Sequence, residues 1–247
     1  MLSNSSINKY CIDNLDSDIE KDTYDKFAKQ FSQTRYKMWP GVKLFLTSLP
    51  DTSYILDAGC GNGKNMLETN HRFMGIDISN ELLKEARKKT ENKQNIDEFK
   101  QGSITNMNMV ETNTFDAVIS IAVIHHLETE TDRTLAIKEM IRVCKSGGSI
   151  LFTVWKLEDN DVYSKGIQIS SNTHDRIILW KDTKNDVSYN RFYHFFTYEE
   201  IYSFVKNISD ELTNNINQTN NINQTKYIKE CQISEEANNY YVKLILS

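Results

Sequence analysis

The sequence predicts an α/β fold, a largely parallel sheet covered on both faces by helices, and three observations carry that prediction. Short apolar runs alternate with amphipathic stretches through most of the chain, the pattern of repeated strand-helix-strand units. The first run, Tyr54-Ile55-Leu56, opens into a glycine cluster at residues 59–63. The second, Arg72 to Asp77, ends in a carboxylate.

Taken in order, residues 1–17 mix Ser, Asn and Asp without periodicity and are expected to form a disordered leader, with a single domain from 18 to 247. Tyr24, Phe27, Ala28 and Phe31 fall at i, i+3, i+4 and i+7, which predicts a helix from Ile19 to Phe31. A second helix follows Pro40 and stops before Pro50, completing a helical element over 18–50. After the first two strands, Ser79 to Lys89 reads as a Ser-capped helix, Phe115 to Ile121 as a strand, and Thr131 to Cys144 as an amphipathic helix stopped by Gly147-Gly148. Ser149 to Trp155 is the next strand. Residues 156–190 are polar and weakly patterned, an insertion over the top of the sheet. Arg191 to Phe196 resumes as a strand, Thr197-x-x-Glu200 forms a capping box, and Tyr240 to Leu246 is the last strand. Between them, two copies of Thr-Asn-Asn-Ile-Asn-Gln at 213–224 suggest a low-complexity surface loop over 213–225.

Composition excludes several classes of function. At 247 residues, 39% hydrophobic and 26% charged, the chain suits one large globular domain. No run approaches the ~20 apolar residues of a membrane-spanning helix, and the polar, acidic start lacks the order of a secretory signal, so an intracellular location is expected. Cys11, Cys60, Cys144 and Cys231 form no C-x-x-C pair, and no metal site is expected. The net charge of −5 speaks against a nucleic-acid coat over the whole surface, yet Lys26, Lys29, Arg35, Lys37 and Lys43 lie in an acid-free run from 26 to 50. That run is either a polyanion footprint or a solvated helix face.

The chemistry concentrates at strand ends. Gly59, Gly61 and Gly63 follow a strand directly, and bare backbone there can approach a ligand closely or simply make a tight turn. A dinucleotide fingerprint would need Gly or Ala at position 64, where Lys64 stands, so the dehydrogenase reading weakens. Asp77 ends the next strand, where a carboxylate can accept both hydroxyls of a ribose.

With Asp57-x-Gly59-Cys60-Gly61-x-Gly63, Asp77, Thr114 to Ser120 and the helix ending in Gly-Gly, the chain resembles the class I methyltransferases, which bind S-adenosylmethionine. The runs Phe31 to Pro40, Gly61 to Lys64, Ser120 to His126, Arg191 to His194 and Asn239 to Val242 are similar to those of eukaryotic tRNA wobble-uridine methyltransferases. Those enzymes esterify the carboxylate of 5-carboxymethyluridine in the anticodon loop. Met38 stands where that family usually has Pro, and Ser103 where class I enzymes commonly place an Asp near the adenine.

The resemblance implies a seven-stranded, mostly parallel, Rossmann-like sheet. It implies a donor site of Asp57, Gly59, Gly61, Gly63, Asp77, Ile78, Ser103, Ile104 and Ile121. It also implies a tRNA anticodon stem-loop as substrate, a small zinc-binding activator as heterodimer partner, no membrane, and a cytoplasmic location with a nuclear one left open.

The substrate explains the residue types. A carboxylic acid with a pKa of about 4 is an anion at neutral pH, so no general base is needed and catalysis reduces to placement. Arg35, Arg191 and Lys37 suit a carboxylate or a neighbouring phosphate, and at least one of them is expected on phosphate. His125 and His126 follow the fourth strand and can donate to the uracil or its carboxylate. Trp155 can stack on a splayed base, and Tyr36 and His194 complete the expected substrate contacts. Two rivals stand beside this reading: a methyltransferase of small molecules, and a non-catalytic donor-binding subunit.

Overall fold

The computed structural model describes residues 17–169, 174–182, 187–219 and 226–247. Apart from Ser17, the expected leader lies outside these residues, as does Cys11.

Helices α1 (Ser17–Thr34) and α2 (Pro40–Ser48) precede the alternating core. Strands β1 (Tyr54–Ala58), β2 (Arg72–Asp77), β3 (Ile96–Gln101), β4 (Phe115–Ile121) and β5 (Cys144–Trp155) run parallel, with helix α3 (Asn80–Thr90) before β3 and α4 (Glu130–Val143) before β5. Beyond β5 come α5 (Asp161–Lys165), β6 (Ile167–Gln168), β7 (Asp175–Asp182), β8 (Val187–His194), α6 (Tyr198–Thr219), β9 (Ile228–Glu236) and β10 (Asn239–Leu246). The main sheet has seven strands in the order β3-β2-β1-β4-β5-β10-β9, with β10 antiparallel to both its neighbours. One apolar layer packs α4 and α6 on one face, through Ile137, Met140, Ile201 and Phe204; the other packs α2 and α3 through Val42, Phe45, Leu46 and Leu83. Among the described residues no helix is long and apolar enough to cross a membrane.

Several local expectations change. The span 156–190 is not a loose insertion: β6, β7 and β8 form an antiparallel sheet of their own. Its polar reading arises because much of one strand face meets solvent, as exposed Leu179, Lys181, Ser188 and Asn190 show. Gly147-Gly148 does not stop α4, which ends at Val143 and passes straight into β5. The glycines sit instead in an irregularity of β5, where Phe115 pairs with Cys144 but Ala117 pairs with Ser149. Gly147 takes φ +75°, and a Cβ on Gly148 would lie 2.6 Å from the Cys144 sulfur.

The capping box is half formed. Thr197 Oγ1 accepts the Glu200 N–H, but the Glu200 carboxylate turns to two histidines instead of back to the cap. Helix α6 continues to Thr219, so the first hexapeptide copy is helical backbone where a loop was expected; residues 220–225 lie outside the described residues. Strands β3 and β9 were not anticipated, because both are sheet edges whose sequences, IDEFKQ and IKECQISEE, carry too few apolar residues to alternate.

Candidate active site

Strand order reverses between β1 and β4, and open α/β sheets bind ligands in the crevice beyond the strand ends at such a point. A cavity of about 440 Å³ opens there, walled by the glycine loop, the ends of β2, β4 and β5, α1 and β8. That volume is in the range of small-molecule sites.

The glycine loop has the backbone that glycine permits. Gly59 takes φ +82°, and a Cβ there would lie 2.4 Å from Val123. Gly61 takes φ +52° and would point a Cβ into open space, which leaves its backbone bare toward a ligand. The Asp77 carboxylate fixes the loop from below: Oδ2 accepts the Gly61 N–H at 2.7 Å and Oδ1 accepts the Ser79 N–H at 2.9 Å. Each oxygen keeps a lone pair for a ribose hydroxyl. Burial pushes the Asp77 pKa up to about 6, against the lowering effect of these hydrogen bonds. Ile78, Ser103, Ile104 and Ile121 also line the cavity. Cavity, bare glycine backbone and a ribose-competent carboxylate fit an S-adenosyl donor.

Helix α1 closes the opposite side, and polar anchors hold it. Asp25 Oδ1 accepts from Ser79 Oγ and from the Glu81 N–H at the start of α3. Buried Asn62, in the glycine loop, donates to the Ser32 carbonyl at 3.2 Å and to the Arg35 carbonyl at 2.9 Å. The glycine loop thereby also sets the position of Arg35.

Arg35 and Arg191 face this cavity together from α1 and β8. The Arg35 guanidinium lies 4.2 Å over the Phe31 ring. Arg191 lies 5.1 Å from the Tyr24 ring and 4.9 Å from that of Tyr193, and donates to Tyr24 Oη at 2.7 Å. Burial, then the charge of Arg191, hold the Arg35 pKa below its usual value. Asp77 is the only acid among the described residues of the wall, and it stands on the donor side. The geometry leaves a positive seat for an anion.

The two histidines are wired differently. His126 Nδ1 lies 2.9 Å from the Phe192 carbonyl, which can only accept, so the proton is on Nδ1. Its Nε2 accepts from Arg191 at 3.0 Å, leaving no lone pair for a substrate proton. His125 Nδ1 instead accepts the Trp155 N–H at 3.2 Å, which places its proton on Nε2. That buried Nε2–H has no acceptor among the described residues. Burial first, then neighbouring positive groups, push both pKa values well below 6.5, so both rings are neutral. Trp155 lines the cavity with one face stacked on Tyr193 at 4.5 Å.

Five expected site residues lie elsewhere. Tyr36 and Lys37 are exposed outside the cavity wall, past the end of α1. Gly63 turns at φ +73° beneath the loop against Ala86. Asp57 is fully buried under the loop, held by Asn65 Nδ2 at 3.3 Å, and burial pushes its pKa up to about 7. His194 is on the opposite face of β8 from Arg191 and Tyr193, as strand alternation demands. Its nitrogens meet Asp175 at 2.6 Å and Glu200 at 2.8 Å. Burial opposes its charge, but these two hydrogen bonds prevail and raise its pKa, making it a clamp between β7, β8 and α6.

Tyr24, Phe31, Asn62, Lys64 and Tyr193 were not singled out for this site, yet all line it. Lys64 lies 4.7 Å over the Trp39 ring, its pKa pushed down to about 8 by burial and then by Arg35. Tyr193 could have been found by its parity with Arg191.

The arrangement has counterparts among known proteins. Residues 56–152 match the family described as methyltransferase domain. A fission-yeast (Schizosaccharomyces pombe) tRNA (carboxymethyluridine(34)-5-O)-methyltransferase is 34% identical over 200 residues, covering 74% of this chain and 84% of its own length. The Arabidopsis thaliana protein of the same name is 47% identical over 139 residues, 56% of this chain, and the chain spans only 33% of its length. Among solved structures, a DhpI complex with SAH superposes with TM-score 0.59 at 16% identity, over 92% of this chain and 95% of that one. A complex described as the Haloferax volcanii Trm112 methyltransferase activator with a methyltransferase gives TM-score 0.60 at 15% identity, over 91% and 96%. At such identities the structural likeness establishes the fold.

Proposed function

The chain belongs to the family of tRNA (carboxymethyluridine(34)-5-O)-methyltransferases, and from that premise we propose that its pocket esterifies the carboxylate of 5-carboxymethyluridine at the wobble position of tRNA. The observation that carries this reading is the pair of guanidiniums, Arg35 and Arg191, on a wall whose only described acid belongs to the donor side.

S-adenosylmethionine is the methyl donor, and when bound it supplies a methyl group on a sulfonium that leaves as a neutral thioether. Asp77 would accept the ribose hydroxyls, and the Gly59–Gly61 backbone would leave room for the donor beside Ile78, Ser103, Ile104 and Ile121. Arg191 and Arg35 seat the substrate carboxylate and the adjoining phosphate, with Arg191 braced by Tyr24 and His126. The His125 Nε2–H donates to the uracil ring or the carboxylate, the acceptor that this buried group otherwise lacks. With the donor bound, a carboxylate oxygen seated by these residues would take its methyl group, an O–C bond replacing the donor's C–S bond. No proton moves, because the acid is already ionised. The aromatic walls from Tyr24, Phe31, Trp155 and Tyr193 exclude water from the anion.

We propose with this a small zinc-binding activator as heterodimer partner and a cytoplasmic site of action, with a nuclear one as the alternative. The fold likeness to a methyltransferase in complex with an activator agrees with such a partner. The deciding experiment is transfer of labelled methyl to tRNA carrying 5-carboxymethyluridine, followed by nucleoside analysis. An alkali-labile methyl ester is expected. An alkali-stable N- or C-methyl nucleoside, or methylation of small carboxylic acids alone, would overturn the proposal.

A further inference from the structure

The small sheet carries a feature that the pocket does not account for. In an antiparallel pair, residues in register share a face, as do residues two apart along a strand. The register pairs Tyr193 with Arg176, Arg191 with Ile178, and Tyr189 with Trp180. These six residues form one stripe. At its inner end Tyr193 and Arg191 line the pocket. Its outer end is the Trp180–Tyr189 pair, about 7 Å beyond Arg191 along the strand. The two rings have centroids 6.0 Å apart and planes inclined by 36°. Both are partly exposed, and neither lines the pocket. Over these three register pairs the stripe holds three aromatics, two arginines, an isoleucine and no carboxylate.

We propose that Trp180 and Tyr189 form a stacking platform for the RNA nucleotide next to the one whose base enters the pocket. The proposal rests on the function argued above, which brings a single-stranded loop base to Arg191. A base splayed into a protein pocket leaves its neighbour with an unstacked face, and an aromatic side chain replaces that stack. The neighbour is covalently tied to the base inside. It must therefore lie within one nucleotide of Arg191, where this pair is found. The positive charge of the stripe has the sign required by the connecting phosphate. Continuity with the pocket favours RNA as the occupant, since a protein partner would have no reason to follow the stripe inward.

The test is a binding cycle read by fluorescence anisotropy. It uses an anticodon stem-loop with ordinary uridine at the wobble position, and the same RNA made abasic on the 5′ or the 3′ side of it. Trp180→Ala should weaken binding of the intact RNA by roughly tenfold, as stacking on one base implies. One abasic RNA should weaken wild-type binding similarly, and the two changes together should cost no more than either alone. Trp180→Phe should retain most of the affinity. If Trp180→Ala does not fold, Tyr189→Ala enters the same cycle with the same expectation. Losses that multiply for both flanks, or intact RNA bound as tightly by the variant as by wild type, would overturn the platform. A wild-type protein that binds no RNA at all would defeat the underlying function as well, so the two failures are distinguishable.

Discussion

Replacing Arg191 by Lys keeps the charge and removes the planar fork. In the structure one guanidinium nitrogen serves both Tyr24 Oη at 2.7 Å and His126 Nε2 at 3.0 Å, while the plane lies near the Tyr24 and Tyr193 rings. A lysine ammonium can approach one of these partners, but it cannot hold them and also present two parallel N–H groups to a carboxylate. The loss is at least one charge-assisted hydrogen bond, about 1.5–3 kcal/mol, plus about 0.5–1 kcal/mol of cation–π contact. Together these predict a fall in kcat/KM of roughly thirty- to a thousandfold, since about 1.4 kcal/mol is a factor of ten. The assay is methyl transfer to carboxymethyluridine tRNA over a range of RNA concentrations, with donor affinity measured separately by calorimetry. Donor affinity should not change, because Arg191 stands on β8, whereas the proposed donor residues follow β1, β2 and β3 or end β4. A fall of less than about threefold, or an equal weakening of donor binding, would refute the assignment of Arg191 to the substrate anion.

Three further outcomes follow from the same geometry. Asp77, pushed up to about 6, must be ionised to accept both ribose hydroxyls, so donor affinity should rise with pH to about 6 and level off above it. Asp77→Ala should lose about 2–3 kcal/mol of donor binding together with that pH dependence; calorimetry at pH 5 and 7.5 checks both. Asp57 is pushed up to about 7 and binds its proton more tightly folded than unfolded, so its ionisation costs stability as pH rises from about 4 to about 7. Thermal melts of Asp57→Asn should therefore gain more at pH 8, on the order of 2 kcal/mol, than at pH 5; equal shifts would contradict this. Exposed Lys26 and Lys29 changed to Gln should flatten the salt dependence of tRNA binding, whereas Lys43, which pairs with Glu68 at 3.1 Å, should matter less.

The legible parts of this protein were those in which one residue type answers one physical demand. Glycines 59 and 61 stand where backbone needs positive φ, and Asp77 where a parallel strand ends. Arginines 35 and 191 were readable as anion ligands from their chemistry, although 156 residues of sequence separation hid that Phe31 would face them both and Tyr24 join it at Arg191. His194 was misplaced because its neighbours in sequence, Arg191 and Tyr193, line the cavity; strand alternation puts it on the other face with Asp175 and Glu200. The roles of His125 and His126 could not be separated from sequence, since adjacent residues of one type differ only in the partners that folding supplies. The second sheet was hidden because its strands alternate against solvent on part of one face, and β3 and β9 because sheet edges tolerate charge.

The central claim is that this pocket makes an ester by placing an anion, with no protein base. Single-turnover methyl transfer at saturating donor, followed from pH 6 to pH 8, tests it most directly. The rate should be flat across that window, because the substrate acid ionises near pH 4 and His126 is neutral with its lone pair held by Arg191. A rate that climbs with pH through a single ionisation, and loses that ionisation in His126→Asn, would contradict the claim and make the histidine a base.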